Sequence, residues 1–289
     1  MKSFLATVNV SALRVLLLQS DANVVVYRDT AARLASALPG RVELRDLRGD
    51  REQAVEATLQ VDADLVVAVG SLAATVAREQ IADRPVIFCA VLNPERYNLT
   101  GPNIGGVSFE VSAAAQLERL RAALPRATRV GVIYDPQKSA AMVNEAERAA
   151  ARLGLQIVKA VANQPRDVDP VFRSLKRDID VLWVIPDSTV VTRESFEVLA
   201  LGAAESRIPF VAFSEAFARQ GALLAFYPDP AAVGDQCATL AAEVLRGQIK
   251  PSQVGVRAPE RYRVAVNRRV EDQLGLTLDA RLRPDVEIR

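Results

Sequence analysis

The sequence runs to 289 residues, half of them apolar and a quarter charged, with 36 basic against 35 acidic side chains. That composition excludes a disordered or membrane-embedded chain, gives room for two α/β cores, and leaves no surplus of cations for an extended nucleic-acid face. Histidine is absent, which removes the Ser-His-Asp and Cys-His catalytic pairs and the commonest metal ligand.

Short apolar, β-branched runs alternate with helical patterns along the chain, the signature of successive βα units with largely parallel sheets. In order these are strand Leu13 to Gln19, a helix ending near Leu38 before the Pro39-Gly40 turn, strand Val42 to Leu47, and a helix from Arg51. Strand Leu65 to Val69, a helix over Leu72 to Ile81 and strand Pro85 to Leu92 follow. The stretch Asn93 to Gly106 holds two Pro, three Gly and three Asn without apolar period, so it reads as a loop closing a first lobe.

A second series then begins with helix Ser112 to Leu124, strand Arg129 to Tyr134, and helix Ser139 to Leu153 capped by Gly154. Strand Gln156 to Val161, a helix over Val168 to Arg177, strand Val181 to Ile185, helix Glu194 to Ser206 and strand Pro209 to Phe213 complete it. The tail adds strand Ala222 to Tyr227, helix Ala231 to Arg246, strand Arg263 to Val266 and a short helix ending near Leu274. These elements are too few for a third lobe. They predict residues 12–108 with 222–251 as the first lobe and 109–221 with 252–289 as the second, each a doubly wound parallel sheet. Three strands crossing between the lobes would form a hinge around a ligand cleft.

The chain carries no G-x-S-x-G elbow, no G-x-x-x-x-G-K-[ST] phosphate loop and no G-x-G-x-x-G after the first strand. Non-enzymatic capture of a small molecule is therefore expected, without cofactor, metal or nucleic acid. A carboxylate-dependent α/β enzyme is the rival, and a cluster of perturbed acids at the site would mark it. Cys89 and Cys237 read as small buried hydrophobes, not a structural disulfide. Phe4 to Val8 is shorter than a secretory core and no cleavage site follows. The location is extracytoplasmic if an export signal has been removed and cytoplasmic if the chain is complete.

Ligands of open α/β sheets sit beyond the carboxyl ends of the strands, where helix N-termini offer unpaired N–H groups. Those ends hold Ser20, Gly70, Ser71 and Asn93 in the first lobe and Tyr134, Asp187 and Ser214 in the second. Gly70-Ser71 offers an anion cradle, Ser71 acting either as a helix cap alone or as a cap that also touches the ligand. Asp187 either receives a ligand donor or serves as a turn and cap residue. Tyr134 either walls the ligand or packs beneath a loop, and Trp183 belongs to the core.

Three phrases carry a resemblance: Pro85-Val-Ile-Phe-Cys-Ala-Val, Gly101-Pro-Asn-Ile-Gly-Gly-Val-Ser-Phe109 and Leu124-Pro-Arg-Ala-Thr-Arg-Val-Gly-Val-Ile-Tyr-Asp-Pro136. With Ile208-Pro-Phe-Val, Gly221-Ala-Leu-Leu-Ala and Ala265-Val-Asn267, the chain resembles the ABC transporter substrate-binding proteins that include tryptophan and tyrosine binders. The resemblance implies a type 1 periplasmic-binding fold, a small polar ligand such as an amino acid or related carboxylate, and delivery to an ABC permease. A ligand-sensing domain signalling to a partner protein would use the same fold. The family pattern has Asp-Pro after the fourth strand and Thr in the glycine-rich crossover, where this chain has Asn93-Pro94 and Gly105. The first departure removes a carboxylate that would face a ligand cation.

Overall fold

The computed structural model describes residues 13–59 and 62–289, which divide into two compact units. The first comprises residues up to Glu110 together with Pro228–Arg261, and the second Val111–Tyr227 with Tyr262–Arg289.

In the first unit, strand β1 (Arg14–Gln19) leads to helix α1 (Val25–Ala37), β2 (Arg41–Asp46), α2 (Arg51–Leu59), β3 (Leu65–Val69), α3 (Ser71–Gln80), β4 (Val86–Val91) and β5 (Ile104–Ser108). The second unit begins with α4 (Ala113–Ala123), β6 (Arg129–Tyr134), α5 (Pro136–Leu153), β7 (Gln156–Val161), α6 (Val168–Leu175), β8 (Val181–Trp183), α7 (Arg193–Glu205), β9 (Phe210–Ala212), α8 (Glu215–Arg219) and β10 (Leu224–Pro228). The chain then returns to the first unit with α9 (Pro230–Leu245), α10 (Pro251–Val254) and β11 (Val256–Arg257). It ends in the second unit with β12 (Tyr262–Asn267), α11 (Arg268–Leu274) and β13 (Val286–Ile288).

The first sheet has strand order β11-β5-β4-β3-β1-β2, and its pairs are parallel. Every residue of β3 and β4 is buried, as expected for parallel strands covered on both faces, whose side chains alternate between two cores. Val15 and Leu17 join Leu34, Val233 and Leu240 on one side, while Leu16 and Leu18 join Ala73, Val76 and Phe88 on the other. The second sheet has order β13-β12-β10-β9-β8-β6-β7. Its β6, β8, β9 and β10 are parallel. The bonds Asn267 N–H to Leu223 O (2.9 Å) and Asp229 N–H to Arg261 O (3.4 Å) mark β12 as antiparallel to β10. Trp183 is fully buried and donates its indole N–H to Gln116 Oε1 at 2.9 Å, so it belongs to the core.

Four expectations need correction. The run ending at Gly106 is not all loop, because β5 pairs with β4 over Ile104–Ser108. Its glycines mark close backbone approach: a Cβ on Gly106 would stand 2.0 Å from Phe88 O, and one on Gly105 2.4 Å from Pro251 O. The segment from Ala222 does not return to the first unit, since β10 pairs with β9 and Leu223, Leu224 and Phe226 pack in the second unit's core. Its crossing falls at Tyr227–Pro228. The later return comes at Arg261–Tyr262 and not near Pro251, because β11 adds to the edge of β5. Finally, Cys89 on β4 and Cys237 on α9 are both buried and joined in a disulfide, with Cα atoms 6.4 Å apart.

Candidate functional site

In the first unit the expected residues Ser20, Gly70 and Ser71 converge where β1 and β3 end. Gly70 precedes α3 with φ +87°, and its N–H donates to Cys89 O at 2.9 Å. A side chain there is excluded by sterics as well as by φ, because a Cβ would stand 2.6 Å from Ser20 Oγ and 2.8 Å from the Tyr27 ring. Ser20 is buried, donates its hydroxyl to Val69 O (2.8 Å) and accepts from Ala73 N–H (3.0 Å). The side chain that caps α3 therefore comes from the neighbouring strand. Ser71, expected as the cap, is the first helical residue and caps nothing.

That substitution of one serine for another leaves three donors without a protein partner among the described residues: the N–H groups of Ser71 and Leu72 and the half-buried Ser71 hydroxyl. A helix N-terminus with free N–H groups carries a partial positive charge and suits an anion. Just before Ser20, Gln19 is 3% exposed and its Nε2 has no partner. Its only signal in the sequence was a polar side chain closing the apolar run Val15 to Leu18.

Asn93 is the remaining expected residue of this unit. It follows β4 in a left-handed conformation (φ +48°), which Asn tolerates better than most residues, and its N–H donates to Glu110 Oε1. The Asn that departs from the family pattern thus serves a backbone turn. Gly105, the other departure, is held to glycine by Pro251 O.

In the second unit Asp187 is 1% exposed. Its oxygens accept from the N–H groups of Asp135 (2.8 Å), Thr189 (2.9 Å) and Val190 (3.2 Å). Of its two expected roles, these bonds give Asp187 that of a turn and cap residue. The buried Asp135 caps α5 through Gln137 N–H (2.9 Å) and accepts from the Thr189 hydroxyl (2.7 Å). The two acids and Thr189 form a polar knot that fixes the ends of β6 and β8 and sets the half-buried Tyr134 above its core. Thr189 belongs to the strand-end segment Pro186-Asp187-Ser188-Thr189, where nothing local distinguishes it from a loop residue. Ser214 caps α8 by accepting from Phe217 N–H at 3.3 Å and joins no other expected residue.

Near the end of β10, Tyr227 donates its hydroxyl to Glu215 Oε2 at 3.0 Å, and Arg219 holds the other oxygen. Burial, reinforced by that hydrogen bond, pushes the Tyr227 phenol up, while the Arg219 bond lowers the Glu215 carboxyl. Tyr227 therefore stays a neutral donor at physiological pH. No cluster of metal-ligating side chains occurs among the described residues.

Two α/β units with parallel-dominated sheets, linked by a chain that passes between them three times, define the periplasmic-binding-protein class of architecture. The sequence then places it more finely. The model of the family described as ABC transporter substrate binding protein matches residues 42–285, and the chain belongs to that family. The tyrosine-binding protein of Clostridioides difficile is 30% identical over 193 residues, or 64% of this chain and 55% of its own length. The chain thus spans little more than half of that relative. A ligand-free, open substrate-binding protein with adhesive properties from Clostridium difficile superposes with TM-score 0.80 at 21% identity, covering 96% of this chain and 99% of that one. An ABC domain in complex with L-Trp from Streptococcus pneumoniae gives 0.70 at 21% identity, covering 96% and 100%.

Proposed function

We propose that this protein is the extracytoplasmic solute-binding component of an ABC import system, taking an amino acid or a closely related small carboxylate. The observation that carries this reading is the set of unpartnered donors at the start of α3: two N–H groups and the Ser71 hydroxyl, held by Ser20 and Gly70. They suit a carboxylate because three directed donors and a helix dipole act on one anionic group. The names of the similar proteins, one a tyrosine binder and one solved with L-Trp, favour an aromatic amino acid. The Cys89–Cys237 disulfide supports an oxidising, extracytoplasmic location. Among the described residues no helix is long and apolar enough to cross a membrane.

Binding needs no covalent step, because specificity comes from a few polar contacts in a largely preformed site. The test is a thermal-shift screen of the common amino acids and their 2-oxo and 2-hydroxy counterparts, followed by calorimetry. A ligand at one hundred times its Kd stabilises the folded state by about 2.7 kcal/mol. Ser71→Ala should weaken the hit roughly tenfold, and Tyr134→Ala in the same assay asks whether the second unit's strand ends take part. The reading fails if no carboxylate binds, or if a hit binds Ser71→Ala as tightly as the parent.

A further inference from the structure

We propose that a pocket in the second unit, at the opposite end of its strands from the carboxyl ends described above, binds a small amphiphilic carboxylate. The pocket lies where α7 ends and β9 and β10 begin, and α11 closes its far side. Its volume of about 800 Å³ falls within the range of small-molecule sites. Phe196 and Phe210, packed with ring centroids 5.3 Å apart, form the floor, and Ala200, Val270 and Leu274 line the wall. Leu201 stands at the edge 62% exposed. Most of the lining side chains are apolar, which suits the body of an apolar ligand.

Charge selects the head group. Arg207 is exposed at the rim, and its guanidinium has no hydrogen-bond or ion-pair partner among the described residues. The acid on the same rim, Glu197, faces Arg193 at 3.4 Å. Gln220 and Gln273 add neutral amides. One cation over an apolar floor matches a molecule with one carboxylate and a hydrocarbon or aromatic body.

The backbone at Arg207 makes its side chain removable. Its φ is +53°, and it follows α7 as the left-handed residue of a helix end, with Ile208 N–H bonded to Ala203 O at 2.9 Å. Glycine serves that conformation best, and an L side chain there is disfavoured. Arginine thus occupies a position where the helix end alone favours glycine, so a glycine there removes the guanidinium without a cost in backbone conformation.

The same feature makes the test clean. Sodium octanoate is titrated into the ¹⁵N-labelled protein, with octan-1-ol as the uncharged counterpart, and the amides of Leu201, Arg207 and Leu274 are followed by NMR. Octanoate should bind saturably with shifts confined to this pocket, and octan-1-ol should bind at least tenfold more weakly. Arg207→Gly should melt at or above the parent temperature, because it relieves the left-handed arginine, yet bind octanoate at least tenfold more weakly. Ala200→Trp should block the pocket while leaving the amino-acid screen above unchanged. The proposal is overturned if octanoate does not saturate in the millimolar range, if its shifts fall elsewhere, or if Arg207→Gly binds it as tightly as the parent.

Discussion

Reducing the Cys89–Cys237 bond, or replacing both cysteines with alanine, should destabilise the first unit by an amount that depends on what else is unfolded. The bond joins residues 148 apart in sequence. If the whole chain unfolds, closing a loop of that length removes denatured-state entropy worth about 5 kcal/mol at 25 °C. If the second unit stays folded, it holds Val111 and Tyr227 at a fixed separation, and only roughly 30 residues of flexible chain close the loop, lowering the figure to about 4 kcal/mol. Either value corresponds to a fall in melting temperature on the order of 10–15 °C for a domain of this size. Calorimetry with and without a phosphine reductant, together with the double variant, measures it. The two forms should differ mainly in the transition of the first unit, and the oxidised, denatured chain should show no free thiol. Two titratable thiols, or oxidised and reduced forms that melt together, would refute the pairing.

Three other outcomes follow from the geometry. Ser20→Ala should cost about 1–3 kcal/mol, because it leaves Ala73 N–H buried without an acceptor, while Ser71→Ala leaves the melting temperature unchanged; denaturant titration separates the two. Gly105→Thr, which restores the family's residue, should destabilise by about 3 kcal/mol through collision with Pro251 O; a variant as stable as the parent would show that α10 yields. Burial raises the Asp180 carboxyl, but hydrogen bonds from Arg129 and from the N–H groups of Thr128 and Arg129 outweigh it and hold the group well below the ordinary range. Its folded pKa is depressed, so its stabilisation is complete above the unfolded value of about 4 and is lost as pH falls through the folded one. Asp180→Asn should therefore be less stable by about 2 kcal/mol at neutral pH, with the gap closing on acidification in urea melts.

Most of the fold was legible because buried parallel strands and amphipathic helices write distinct periods into the sequence. The boundaries of β1, β3, β6 and β7 agree with the expected strands to within a residue. Where reading failed, the deciding contact was remote. Gly105 and Gly106 look like loop glycines until Pro251 and Phe88 are placed against them. The apolar run before Tyr227 could join either sheet, and only its pairing with β9 decides. The short elements α8, α10, β11 and β13 hold two to five residues, too few for a period to emerge. At the start of α3 the serines exchange roles: Ser71, expected as the cap, is the first helical residue, and Ser20 reaches across from the neighbouring strand to accept from Ala73 N–H. Asp187 was named correctly as a strand-end acid, while the three N–H groups that occupy it lie on backbone whose course no side-chain pattern announces.

The interleaving of the two units has a consequence for synthesis. A ribosome delivers the chain from the N-terminus, and domains generally fold as they emerge. Here the first unit lacks α9 and the edge strand β11 until the segment ending at Arg261 is made, and the second lacks β12 and β13 until the last residues appear. The nascent protein therefore carries two incomplete sheets at once from the making of β6 until β11 is finished, and Cys89 waits unpaired for Cys237.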